Sequence, residues 1–432
     1  MKPYRTRGSS FREHTSCKRG GKRVFRSAAA VLLMSVSIGW NLTQAVFGAD
    51  TDIQAYVYTS SAAADQKLKL CSSHAGDRLD GNGKKMYDFL KEKILKVASG
   101  EQTSTQFVIP VKDFLDKLKY TDKELGVTFY DAKTQALVSK EKQSVILNRF
   151  LEEKVISDED LQQLFSSLLA DFPYELYWYN KAAEGSFGIS MSGARIQKRG
   201  SKGASLWMDQ AVLTFRFLVS DAYGSRYQTD PAKIESARKA AANAERIVSE
   251  ASALSDYQKL TYYCRKICEL TSYNKEAAQT KDPGNQNPWQ IVYVFDEDDT
   301  TNVVCEGYAK AFQYLCDQTV FDDPDIYSCL VTGTMSGGTG AGLHMWNIVH
   351  MGDLGNYLAD VTNCDEGTAG EGGTLFLTGA ASGNVFDGYR IRTGRRSVFY
   401  QYREDMAKIY ALEDLTLAGG GRLKEKDLHS AK

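Results

Sequence analysis

The sequence predicts an α+β fold: a cysteine-bearing helix packed on an antiparallel sheet, with an α/β extension ahead of it. Three observations lead there. Helical apolar spacing recurs over residues 82–99, 158–171, 231–253 and 255–270. Within VVCEGYAKAFQYLCD, Tyr308, Ala311, Phe312 and Leu315 stand at i, i+3, i+4 and i+7, so another helix with a buried stripe starts nearby. Three short apolar runs follow, residues 326–332, 344–351 and 357–361, which read as antiparallel strands separated by glycine-rich loops.

The chain has 432 residues, 43% hydrophobic and 25% charged, enough for two or three domains with real cores. Its first 49 residues differ from the rest. Nine basic residues face one acid, Glu13, and the apolar run AAAVLLMSVSIGW then leads to small residues near Ala45, Gly48 and Ala49. That order reads as a secretory signal peptide, since the run is short for a membrane span; with no clean A-x-A site, an uncleaved signal anchor is the alternative. The expected organisation is residues 1–49 as leader, 50–225 as an N-terminal α+β region, 226–417 as a catalytic domain and 418–432 as a flexible tail.

Removing the leader changes the charge. The chain holds 53 basic and 54 acidic residues; taking away nine and one leaves 44 and 53, a net charge near −9. Phosphate backbones repel such a surface, so nucleic acid is excluded as a partner, and no membrane contact is expected once the leader is cut. Of eight cysteines, Cys17 leaves with the leader. The odd seven that remain allow one reactive thiol with three disulfides, or a wholly reduced set.

In the N-terminal region, residues 105–110 read as a strand, and Ser157 or Asp158 caps the helix over 158–171. Residues 187–191 and 205–219 read as strands joined by the polar loop 192–204. Asp230 and Pro231 start the next helix, and Ser255 or Asp256 the one after. Cys264 and Cys268 lie four apart on that last helix. With no His or Cys pair nearby, core packing is the expectation and no metal site is assigned. No calcium motif is present, and no cofactor is expected.

Chemistry gathers around Cys305. Thr301 or Asn302 is placed to cap its helix, which puts the thiol in the first turn, where the dipole favours a thiolate. Free N–H groups there suit an oxyanion. Glu306 opposes the thiolate if it points at the sulfur. A base must come from the four histidines beyond the leader: His74, His344, His350 and His429. His344 opens the run HMWNIVHM beside the loop GTMSGGTGAG, a strand end from which an imidazole can reach another element. His350, on the same strand face, is the reserve. Asp360, sixteen residues on in NYLADVTNCD, is one hairpin away and suits an orienting carboxylate. Trp346 and Asn347 read as packing and strand hydrogen bonding. The loop over 333–342 lacks G-K-[ST] and reads as a hairpin or rim loop rather than a phosphate cradle.

The order Cys, His, Asp, carried by C-E-G-Y-A, H-M-W-N and Y-L-A-D-V-T, resembles the transglutaminase-like superfamily, exported bacterial members above all. The stretch SDYQKLTYYCRKICELTSYN looks like the helix that precedes the nucleophile helix there. The resemblance covers residues 255–365 and weakens across FPYELYWYN and VFDGYRI on either side. It implies a papain-like α+β core, with Cys305 as nucleophile, His344 as base and Asp360 as the carboxylate that orients it. It also implies a second oxyanion donor upstream, for which Trp289 and Gln290 in NPWQIVYVF are the nearest candidates.

The implied chemistry is acyl transfer through a thioester on Cys305, with a protein or peptide carboxamide as substrate. Water as acceptor gives a peptidase or deamidase, and an amine gives a cross-linker. Hydrolysis is the preferred expectation because it demands less of the site. Domains of this superfamily also serve as non-catalytic binding or scaffold modules, and that is the alternative at the cell surface.

Overall fold

A computed structural model describes residues 75–181, 183, 185–200, 203–279, 291–338, 341–380, 383–394 and 396–428. The leader, Cys71, His74, Trp289, Gln290 and His429 lie outside them.

The N-terminal region opens with the helix Gly81–Ser99, which turns Met86, Leu90, Ile94 and Val97 inward. The helix Asp158–Asp171 is capped by Ser157, whose hydroxyl accepts the Asp160 N–H at 3.1 Å. Two small antiparallel sheets follow. In one, Val212–Phe217 lies between Gln106–Pro110 and Phe187–Ser192; in the other, Ala204–Trp207 lies between Lys119–Thr121 and Arg195–Lys198. The single strand expected over 205–219 is therefore two strands in two sheets. A turn at Met208–Ala211 divides it, where the Ala211 N–H reaches the Met208 carbonyl at 3.1 Å. The expected loop over 192–204 contains the strand Arg195–Lys198, held to that turn by Nη2 of Arg195, shared between both oxygens of Asp209 at 2.8 Å.

The next helix begins later than Pro231 suggests, at Glu235 and ending at Glu250. Asp230 does cap, but what it caps is the preceding turn: its carboxylate accepts the Ala232 N–H at 2.9 Å and its carbonyl the Lys233 N–H at 2.9 Å. The helix Asp256–Leu270 starts from a full capping box between Ser255 and Gln258.

Seven strands among the described residues form the main sheet, all paired antiparallel. Their order is Phe376–Thr378, Asn356–Ala359, Gly342–Met351, Ile326–Ser336, Arg396–Tyr402, Gly388–Thr393 and Asn384–Val385. The two central strands run further into the glycine-rich segment than its composition predicts. Gly333 permits this, because a Cβ there would collide with the Gln401 carbonyl and the Trp346 ring. The helix Cys305–Asp317 is buried along its length, with Tyr308, Ala311, Phe312 and Leu315 inward as expected.

One core cluster runs from Met86 through Tyr174, Phe312 and Tyr314 to Leu423, across the position expected to separate two regions at 225/226. Tyr174 stacks on Tyr314 with ring centroids 4.4 Å apart. The segment expected as a flexible tail is packed over residues 418–428: Leu423 is buried and its N–H reaches the Leu377 carbonyl at 2.8 Å. Backbone bonds of Ala418 to Asn356 and of Gly421 to Gly379 help hold the segment. Among the described residues no helix is long and apolar enough to cross a membrane.

Candidate active site

Cys305 is the first residue of its helix. The expected caps are engaged elsewhere: the Thr301 hydroxyl binds Asp296 at 3.0 Å, and the Asn302 side chain accepts the Ser272 N–H at 3.2 Å. Val304 occupies the cap position in an extended conformation, without a side-chain cap. The positive end of the helix thus faces the sulfur without a competing side-chain oxygen at the cap. Gly307 lies against the Val303 side chain, where a Cβ has no room. The thiol is 5% exposed and packs with Ala309, Leu330 and Met345.

His344 stands near the start of the strand Gly342–Met351, with Nε2 2.9 Å from Oδ2 of Asp360. Cys305 is near enough to the imidazole to favour its charged form. Burial works against charging this ring. The Asp360 carboxylate, its hydrogen bond and then Cys305 outweigh burial and push the pKa up to about 10.

Asp360 sits just past the strand Asn356–Ala359 and caps the one-turn helix Val361–Cys364. Its Oδ1 accepts the Asn363 N–H at 3.2 Å; its Oδ2 accepts the Asn363 side-chain amide at 2.8 Å and the Tyr400 hydroxyl at 2.6 Å. Burial alone would raise the carboxyl. The charge on His344 and these hydrogen bonds hold it below the usual range instead.

The structure therefore brings Cys305, His344 and Asp360 together. His350, the reserve base, is six residues further along the strand, roughly 20 Å at the usual rise. It binds Asn356 Oδ1 through Nδ1 at 2.7 Å and stacks on Tyr327, with no role beside Cys305. The oxyanion candidates Trp289 and Gln290 lie outside the described residues. Trp346 is buried core, and the Asn347 amide donates to Ser328 at 3.3 Å.

Glu306 does not stand as an uncompensated charge beside the sulfur. It is wholly buried between two ammonium groups: Lys310 at 2.8 Å, and Lys181 of the N-terminal region. All six described cysteines are free thiols, so the three disulfides that would account for the odd count are not formed among them. Cys264 is buried, as expected of core packing, and among the described residues no cluster of His, Cys, Asp and Glu is arranged to hold a metal.

Three residues of the site escaped sequence reasoning. Asn363 carried a local signal, three residues after Asp360, the spacing of a capping turn. Tyr400 alternates with Val398 and Tyr402 in SVFYQY, which marks a buried face but names no partner. Lys181 follows a long aromatic run, and a lone cation there hinted at a buried counter-charge.

No family model matches the chain, and no curated protein matches it. Among solved structures, a TGase is 13% identical with a TM-score of 0.25, over 42% of this chain and 46% of that one. A protein from Cytophaga hutchinsonii described as a candidate cysteine protease is 11% identical with a TM-score of 0.22, over 42% and 68%. The periplasmic domain of TgpA from Pseudomonas aeruginosa is 14% identical with a TM-score of 0.21, over 42% and 64%. The chain thus spans about half the length of the first of these structures.

Proposed function

We propose that this protein is a transglutaminase-like cysteine enzyme that works outside the cytoplasm and carries an acyl group as a thioester on Cys305. The observation that carries the reading is the buried pair in which His344 meets Asp360 at 2.9 Å through Nε2, with Cys305 near enough to the ring to favour its charged form.

In the proposed reaction the Cys305 thiolate attacks the carbonyl carbon of a peptide or side-chain amide. The carbon–sulfur bond forms and the oxygen takes the negative charge, facing uncapped N–H groups of the helix start. The imidazolium of His344 gives its proton to the departing nitrogen, the carbon–nitrogen bond breaks, and ammonia or an amine leaves. Asp360 holds the ring in place and supports its charge. Water then attacks the thioester while His344 takes its proton, releasing a carboxylic acid and the thiol. An amine in place of water gives a new amide. Hydrolysis is the preferred course, since it requires no second binding site.

The test is a product screen with a glutamine-containing peptide, with and without a primary amine, alongside iodoacetamide labelling. Fast labelling of Cys305 near neutral pH, ammonia or amine release, and loss of both in Cys305→Ala are the expected results. Labelling at the rate of an ordinary thiol, with no product, would sink the enzyme reading and leave the binding module. Incorporation of the amine would make the protein a cross-linker.

A further inference from the structure

The ion cluster behind the Cys305 helix is unusual for what it costs. Glu306 is 0% exposed, and the side chains of Lys181 and Lys310 only 16% and 15%. Desolvating three charges offers little net stability, and apolar residues of the same size serve a core as well or better. What the cluster supplies instead is charge. Two ammonium groups are set against the carboxylate of Glu306 at the first turn of the helix, next to the nucleophile.

Its members come from different parts of the chain. Glu306 and Lys310 are one turn apart on the Cys305 helix. Lys181 comes from the N-terminal region, at the end of the aromatic segment Phe172–Asn180, whose Tyr174, Tyr177 and Tyr179 are buried in the core. Burial favours the neutral amine of Lys181 and lowers its pKa to about 8, while Glu306 and, more weakly, Cys305 favour the cation. Glu306, the residue after Cys305, ties Lys181 to the first turn that carries the sulfur. The other titratable groups about the sulfur are His344 from the sheet and Tyr273, from the segment paired with Val303.

We infer that Lys181 is a positioning residue of the Cys305 site: supplied by the N-terminal region, it joins Lys310 in offsetting the charge of Glu306, so that the carboxylate next to Cys305 does not oppose the thiolate. Lys181 touches no reacting atom and acts through the field at the sulfur. The inference rests on the catalytic reading of Cys305 and adds a task for residues 75–225, namely completing the electrostatics of a site whose reacting groups all lie elsewhere.

The test is the pH dependence of Cys305 alkylation by iodoacetamide in the full chain. Wild type is compared with Lys181→Met, Glu306→Gln and the double variant, each checked for folding by circular dichroism. Lys181→Met removes one positive charge and is expected to move the rising limb of the profile to higher pH, by roughly half a unit to one unit. Glu306→Gln removes the negative charge and is expected to move it to lower pH. The double variant has the net charge of wild type and no buried carboxylate without its partner, so its profile returns towards wild type. It also keeps the test alive if Lys181→Met alone fails to fold.

A purely structural Lys181 would shift both single variants in the same direction, or neither. Either result overturns the inference. Slow labelling of wild type itself would instead overturn the catalytic reading, so the two failures are told apart.

Discussion

Three donors converge on one oxygen of Asp360: the imidazole of His344, the amide of Asn363 and the hydroxyl of Tyr400. A buried carboxylate with this many partners stays ionised and cannot turn, which is what a base-orienting group requires. The consequence for pH follows from His344. Its ordinary value of 6.5 is pushed up to about 10. A group raised on folding contributes stability that is complete below the unfolded value and fades as pH climbs through the folded one. Urea midpoints are therefore expected to fall as pH rises from about 6.5 towards 10, and in Asp360→Asn this slope should flatten. An unchanged slope in that variant would deny the Asp360–His344 pairing. At this scale much was legible, because the scarcity of histidines beyond the leader narrowed the base to very few positions. Tyr400 was not legible, since its meeting with Asp360 depends on strand pairing forty residues apart in the chain.

Helix starts show why local pattern succeeds at one element and fails at the next. Ser255 caps because Gln258 completes the box, and the Ser255 hydroxyl accepts the Gln258 N–H while donating to Glu425 at 2.8 Å, so SDYQ reads correctly. Ser255→Ala is expected to lower stability by about 1 kcal/mol, seen as a drop in Tm with activity retained. Thr301 and Asn302 look equally suited in TTNVVCEG, yet tertiary partners take their oxygens, and Val304 fills the cap position. Strands behave likewise. The apolar run 205–219 has one continuous pattern, and only the turn at Met208–Ala211 reveals two sheets. The central strands over 326–351 were found as short apolar runs set off by a glycine-rich loop. Their extension past Gly333 needed the neighbouring strand to be known.

Across the whole molecule, the N-terminal region and the Cys305 helix share a single apolar interior. Tyr174 is its clearest joint, stacked on Tyr314 and donating its hydroxyl to the Ala237 carbonyl. Tyr174→Ala should cost about 3 kcal/mol, and both halves should still unfold in one transition. Circular dichroism and tryptophan fluorescence would then give coincident curves; two separated transitions would mean independent domains. Sequence pattern cannot show such sharing, because an aromatic run such as FPYELYWYN advertises burial without saying against what.

The order of strands in the main sheet has one more consequence, for the timing of assembly. Ile326–Ser336 is flanked on one side by a strand that follows it directly and on the other by Arg396–Tyr402, which is made much later. A chain emerging from its N-terminus presents Cys305, His344 and Asp360 first, while one edge of their sheet is still bare and the oxygen of Asp360 still lacks the Tyr400 hydroxyl. The finished site thus waits on residues made well after its reacting groups: the strand Arg396–Tyr402 must be in place before Asp360 acquires its full set of donors.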